Sequence, residues 1–348
     1  MASITEEEFG VTKTGEHVSR YTLTNDNNVL VRVLNYGATI TDILVPDKHG
    51  NVDDISLGFD DITGYESNAI FCLGSIIGRY ANRIEGARFA LDGETYNLTA
   101  NHGDHLLHGG VKGFDQVMWS ANVVDGKKLQ LRYVSDDGEE GFPGEVTTTV
   151  IYELTDDNQL FIQYEANTTK ATPINLTNHA YFNMAGHSAG HIDDHVVRIN
   201  SDAYAVLDDT LIPTGELKDV TGTPYDLRSP VRLGDHMTSV PGGKGYTVSY
   251  NLEDSGDLKD VARVTHPPSG RVLEVATTEP SVLFYTSFYL NAKGKGKDDA
   301  MYGKFAGFCL EAQHHPDSVN KPSFPSTILR PGETYRQTTV YRFSVATQ

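Results

Sequence analysis

The chain has 348 residues, 39% hydrophobic and 22% charged, an ordinary globular composition with enough apolar residues for a large core. Its net charge of −19 argues against nucleic acid and membrane surfaces as partners, because so acidic a surface repels phosphate backbones and anionic lipid heads; a neutral small molecule is indifferent to it. The opening residues MASITEEEFG show no secretory signal pattern, and no stretch approaches the ~18 apolar residues of a membrane span, so a cytoplasmic chain is expected.

Read from the N-terminus, apolar alternation predicts strands at 28–35, 39–45 and 129–134. Residues 146–154, VTTTVIYEL, put Val146, Val150, Tyr152 and Leu154 on one face. After the turn Asp156-Asp157-Asn158, residues 160–166, LFIQYEA, put Leu160, Ile162, Tyr164 and Ala166 on one face. Two such runs around an Asp/Asn turn predict an antiparallel hairpin. Further strands are expected at 195–200, 271–277, 281–288 and 334–345, the last with Tyr341, Phe343 and Val345 on one side. Helical periodicity is missing apart from a short helix near 229–239. No linker, repeat or charge block divides the chain. The expected fold is all-β: one domain over 1–348, a single large antiparallel β-sandwich with very little helix.

Cofactor motifs are absent: no G-x-G-x-x-G follows a strand, and there is neither a P-loop nor a G-x-S-x-G elbow. No cofactor is expected. Cys72 and Cys309 lie in apolar runs and read as buried, reduced thiols. The sequons at Asn97, Asn167 and Asn175 are expected to stay unused. His102, His105 and His108 recur at spacing three, and His187, His191 and His195 at spacing four. Spacing four gathers ligands only on a helix, and Gly186 and Gly190 speak against one. The second set reads as surface-loop histidines, and no metal is expected.

Four segments pack polar residues into apolar or glycine-rich surroundings: GRYANRI (78–84), HLLHGG (105–110), NLTNHAYFNMAG (175–186) and FCLEAQHHPDS (308–318). Glu311 ends an apolar run, where partial desolvation raises a carboxyl pKa and makes a usable base. His179 follows a strand-like run and titrates in the range suited to proton donation. His108 precedes Gly109-Gly110, which would let a ligand approach the backbone. Arg79, Arg83 and Arg88, taken alone, read as surface charges. The residues by themselves lead to a polar pocket with an acid–base pair and no further.

Together these segments resemble the aldose 1-epimerase family, from about residue 30 to the C-terminus. GRYANRI, LHGGVKGFDQVMW (107–119), SDDGEEGFPGE (135–145), TPINLTNHAYFNMAG (172–186), ATTEPSVLFYTS (276–287) and GFCLEAQHHPDSVN (307–320) carry the likeness, in that order. The resemblance implies a large antiparallel sandwich and an isomerase that interconverts the α and β anomers of a free hexose of the galactose or glucose type. It implies Glu311 as base, His179 as acid, and His108 as a second histidine near the anomeric carbon. Asn82 and Arg83 would bind sugar hydroxyls, Tyr181 would form a wall, and Glu279 would take a pocket position. The expected partner is an aldose sugar, and the chain is expected to be a monomer or homodimer.

One segment departs from the pattern. Where the family has Gly-aromatic-Asp-His, this chain reads GYTVSYNL (245–252), with Thr247 for the sugar-binding Asp and Val248 for the His. A hydroxyl cannot replace a charged two-oxygen acceptor, a difference of roughly 1.5–3 kcal/mol. SFYLNA (287–292) also departs from the family's Gly-Asn-aromatic ending. The alternative reading is therefore a sugar-binding or sensing protein with little turnover.

Overall fold

Side-chain alternation sets the strands of this protein, and their pairing sets three principal sheets. The computed structural model describes residues 3–346. Ser3–Val11, His17–Thr24, Leu30–Leu34, Ile40–Pro46 and Val52–Asp54 form an antiparallel meander. A nine-stranded sheet runs Ser120–Val124, Lys128–Ser135, Val146–Leu154, Gln159–Thr168, Tyr335–Val345, Arg271–Thr277, Lys259–Thr265, Val196–Ile199 and Val231–Arg232. A further five-stranded sheet runs Pro213–Asp219, Ala203–Leu207, Thr247–Asn251, Ser281–Tyr285 and Cys309–Gln313. All pairings within these sheets are antiparallel.

The hairpin expected over 146–166 forms, with Val150 opposite Tyr164 and Tyr152 opposite Ile162. The alternating residues named for it are all buried. The turn closes through Asn158 at φ 62°, a left-handed conformation that Asn tolerates better than most residues. Buried faces of all three sheets join one core: Leu23, Val31 and Ile43 from the first, Val150, Ile162 and Tyr341 from the second, Val248, Val282 and Phe284 from the third. Tyr152 Oη donates to Ala38 O across it at 2.8 Å. The expected antiparallel sandwich is thus assembled from three principal sheets.

Helix is scarce, as expected. The segment near 229–239 holds Leu233–His236 and the 3-10 turn Met237–Ser239. Ile62–Ser67 is a second short helix, its start capped by Asp61 Oδ1 accepting from Gly64 N–H at 2.8 Å; six residues are too few to display a period. Among the described residues, no helix is long and apolar enough to cross a membrane. The strand Ser3–Val11 was invisible to alternation. It lies at a sheet edge, and its mostly exposed residues include Glu6 and Glu7, which reach Tyr21 and Arg20 on the next strand.

The surface reading of Arg79 is corrected. Its side chain is buried beneath the site segments, where the guanidinium donates to the carbonyls of Ser135 (3.2 Å), Asp136 (3.0 Å), Pro143 (3.0 Å) and Gly144 (2.8 Å). It also lies over the Phe142 ring. One cation thereby gathers the 135–144 loop. Arg79→Met would leave several buried acceptors bare and is expected to lower stability by roughly 3 kcal/mol or more. A denaturation midpoint within error of wild type would contradict this.

Candidate active site

The sheet that ends in Cys309–Gln313 has two faces of different chemistry. Its register sets Ser249 and Glu311 on either side of Leu283, and Thr247 and Cys309 on either side of Tyr285. The intervening residues Val248, Tyr250, Val282, Phe284 and Leu310 point into the core. Period-2 geometry therefore delivers Thr247, Leu283, Tyr285 and Glu311 to one surface, where all four line a cleft of about 320 Å³. Val248 faces the other way and cannot meet a ligand in this cleft, so its departure from the family pattern falls in the core.

Short ladders bring the remaining polar groups to the same cleft. Arg83–Ile84 pairs with Leu106–Leu107, which sets His108 beside Asn82. Asn82 N–H donates to His108 Nδ1 at 3.2 Å, and His108 N–H donates to Asn82 O at 3.0 Å. With Nδ1 accepting, the neutral ring of His108 carries its proton on Nε2. Burial, then the neighbouring His179 and Arg83, hold the His108 pKa well below the usual histidine range. Gly109 is needed for a different reason from the one expected. At φ +88°, a Cβ there would stand 2.0 Å from Gly78 O, so the close approach is made by the chain's own backbone.

His179 is held by a second ladder, Thr177–Asn178 with Ile76–Ile77. Its N–H donates to Ser75 O at 2.9 Å, and its carbonyl accepts from Gly74 N–H at 3.0 Å. The imidazole stacks on Tyr181 at 4.9 Å between centroids and meets the His108 ring edge-on at 5.2 Å. Its Nε2 lies 3.5 Å from Glu311 Oε1, and its Nδ1 lies 3.6 Å from Cys309 Sγ.

Glu311 is 1% exposed, and its Oε2 has no hydrogen-bond partner among the described residues. Burial pushes its pKa up to about 8, opposed by the positive charge of Arg83. Burial pushes His179 the other way, to about 4. At neutral pH the two groups thus hold one proton between them. Arg83 is itself buried; its Nη1 donates to Asn82 Oδ1 at 3.4 Å and its Nε is unpaired among the described residues.

Of the residues singled out in the sequence, the cleft is lined by Asn82, Arg83, His108, His179, Tyr181, Thr247 and Glu311. Glu279 is a correction. It is buried outside the cleft and pairs with His314 Nδ1 at 2.8 Å. The histidine sets also resolve differently. His102 reaches the cleft wall, while His105 Nδ1 accepts from Gly86 N–H. His187 and His195 are buried, not surface residues: His187 Nδ1 lies 2.9 Å from Tyr302 Oη, and His195 Nε2 accepts from Met184 N–H at 2.8 Å. Sequence reasoning missed Leu283, Tyr285 and Tyr289 in the cleft wall. Alternation from Glu311 through the paired strand would have found the first two; Tyr289 belongs to the departing SFYLNA segment.

The cleft thus holds a buried carboxyl and imidazole, with tyrosines among its walls. The family model for aldose 1-epimerase matches residues 19–342. The chain belongs to the aldose 1-epimerase family. It is 46% identical to the galactose mutarotase of Homo sapiens over 347 residues, covering 99% of this chain and 100% of that one. It is 36% identical to the aldose 1-epimerase of Escherichia coli (strain K12) over 335 residues, 94% of this chain and 96% of that one. Among solved structures, an aldose epimerase homologue from C. elegans superposes with a TM-score of 0.86 at 29% identity, with both chains fully covered. The galactose 1-epimerase of Lactobacillus acidophilus NCFM gives a TM-score of 0.86 at 26% identity, again with full coverage.

Proposed function

We propose that this protein interconverts the α and β anomers of a free aldohexose, galactose or glucose, with Glu311 and His179 as the proton-transfer pair. The observation that carries this reading is the pair itself. A carboxyl and an imidazole 3.5 Å apart, both buried in the cleft and together holding one proton, suit a reaction that moves one proton between two oxygens of the same carbon. In the form of the pair that carries its shared proton on His179, Glu311 takes the proton of the C1 hydroxyl while His179 delivers its own to the ring oxygen, and the C1–O5 bond breaks. Rotation about C1–C2 presents the other face of the aldehyde. The ring then closes with both transfers reversed, so no proton is consumed and no redox step occurs. His108, with Nε2–H free to donate, steadies the oxygen at C1. Asn82 and Arg83 bind hydroxyls, and Tyr181, Leu283 and Tyr285 provide apolar walls for the sugar's C–H surfaces.

Polarimetry on freshly dissolved α-D-galactose and α-D-glucose tests the activity. Rates faster than buffer are expected; no acceleration, with both sugars bound, would leave a sugar-binding protein instead. Thr247 lines the cleft, and among the described residues no side-chain hydrogen bond holds its hydroxyl. Thr247→Asp is expected to lower KM for galactose about ten-fold, since a charged acceptor strengthens a hydroxyl contact by roughly 1.5–3 kcal/mol. An unchanged KM would remove Thr247 from the sugar contacts.

A further inference from the structure

Beneath the cleft, the proton-transfer pair has a third donor beside it that anomerisation does not use, the thiol of Cys309. Cys309 precedes Glu311 by two residues in one strand, so both project from the same face. The thiol is fully buried against the catalytic imidazole, with Sγ 3.6 Å from His179 Nδ1. One donor atom from each of His179, Cys309 and Glu311 lies within 4.8 Å of the others. Glu311 Oε2, buried and without a partner among the described residues, is the second sign of an unfilled site.

Nitrogen, sulfur and carboxylate oxygen together suit a thiophilic d¹⁰ cation such as Zn²⁺, and do not suit Mg²⁺ or Ca²⁺, which take oxygen ligands. Tetrahedral bonds of about 2.0–2.3 Å place ligand atoms roughly 3.3–3.8 Å apart. The His179–Glu311 and His179–Cys309 separations, 3.5 and 3.6 Å, already fall there, though on opposite ring nitrogens. Binding one ion through all three side chains therefore calls for a rotation of the imidazole about its Cβ–Cγ bond. His179 and Glu311 open onto the cleft, so the ion has an entry path and water completes its fourth position.

We propose that His179, Cys309 and Glu311 bind Zn²⁺ reversibly in competition with the sugar, arresting turnover. The metal site stands on the geometry alone; the arrest rests on the proton-transfer roles proposed above, because the ion occupies the lone pairs that would move the protons. On binding, a metal–sulfur bond forms and the thiol proton leaves to solvent, with any proton held by Glu311. No electron is transferred.

Metal-free full-length protein titrated with Co²⁺ reports the site optically, through a thiolate-to-cobalt charge-transfer band; Zn²⁺ affinity is read by calorimetry with and without galactose. One equivalent is expected to bind, the band to appear, and galactose to weaken Zn²⁺ binding. Cys309→Ser keeps the side-chain shape and is expected to abolish the band and weaken Zn²⁺ on the order of a hundred-fold. Cys72→Ser is the control, since the other buried thiol sits against Asp115 (3.7 Å to Oδ2), outside this donor set, and is expected to keep both signals. A band that survives Cys309→Ser, a band lost in Cys72→Ser, or Zn²⁺ binding indifferent to galactose overturns the proposal. Zn²⁺ seated at Cys309 with galactose turnover undiminished would instead overturn the roles given to Glu311 and His179.

Discussion

Glu311→Gln is expected to lower kcat about 10²–10⁴-fold while galactose binding largely survives. The amide preserves shape and hydrogen-bonding capacity but cannot accept the hydroxyl proton. The loss should therefore fall on kcat and kcat/KM together, the signature of an interaction made in the transition state. Galactose anomerises unaided in water, so the rate must be read above the buffer background, and binding measured separately by calorimetry. The residual rate should also change its pH dependence. With the carboxyl gone, only protonated His179 can assist, and its pKa is pushed down to about 4 by burial. Residual activity should fall as pH rises through that value. Near-wild-type rates would remove Glu311 from the role of base.

His179→Asn is expected to cost a similar factor, about 10²–10⁴ in kcat, with the opposite pH signature. Glu311 then works alone and only when ionised, and burial raises its pKa to about 8. Residual activity should climb as pH rises through about 8. The intact pair behaves differently from either variant. Below about 4 a second proton leaves no base, and above about 8 the only proton is lost and no acid remains. Wild-type kcat/KM for galactose should therefore be highest between these values and fall on both sides. A profile in which both variants keep the wild-type limbs would show that the two groups do not share a proton in catalysis.

The two variants separate because the environments of the pair push in opposite directions for one cause. Desolvation penalises whichever form is charged, which is the ionised state of Glu311 and the protonated state of His179. Arg83 only moderates this for Glu311. The same burial gathers the donor set of His179, Cys309 and Glu311 that a thiophilic cation would take. Proton transfer and metal capture are then alternative uses of the same lone pairs.

The sequence by itself determined the strands whose two faces differ. Hairpin 146–166 was legible because one side of each strand meets the core and the other meets solvent, and alternation is a local property. The ordered motifs also named Glu311, His179 and His108 and the family's chemistry. Tertiary structure alone decided the rest. Glu279 and Arg79 were misjudged because a charged residue reads alike whether it lines a cleft, pairs with His314 or gathers buried carbonyls. Ser3–Val11 escaped because an exposed edge strand has no reason to alternate. Cys309 read as a buried, reduced thiol; only the fold brings its sulfur to the imidazole of His179, which comes from a separate ladder. Distance, desolvation and shared protons arise between segments far apart in the chain, so no local pattern records them.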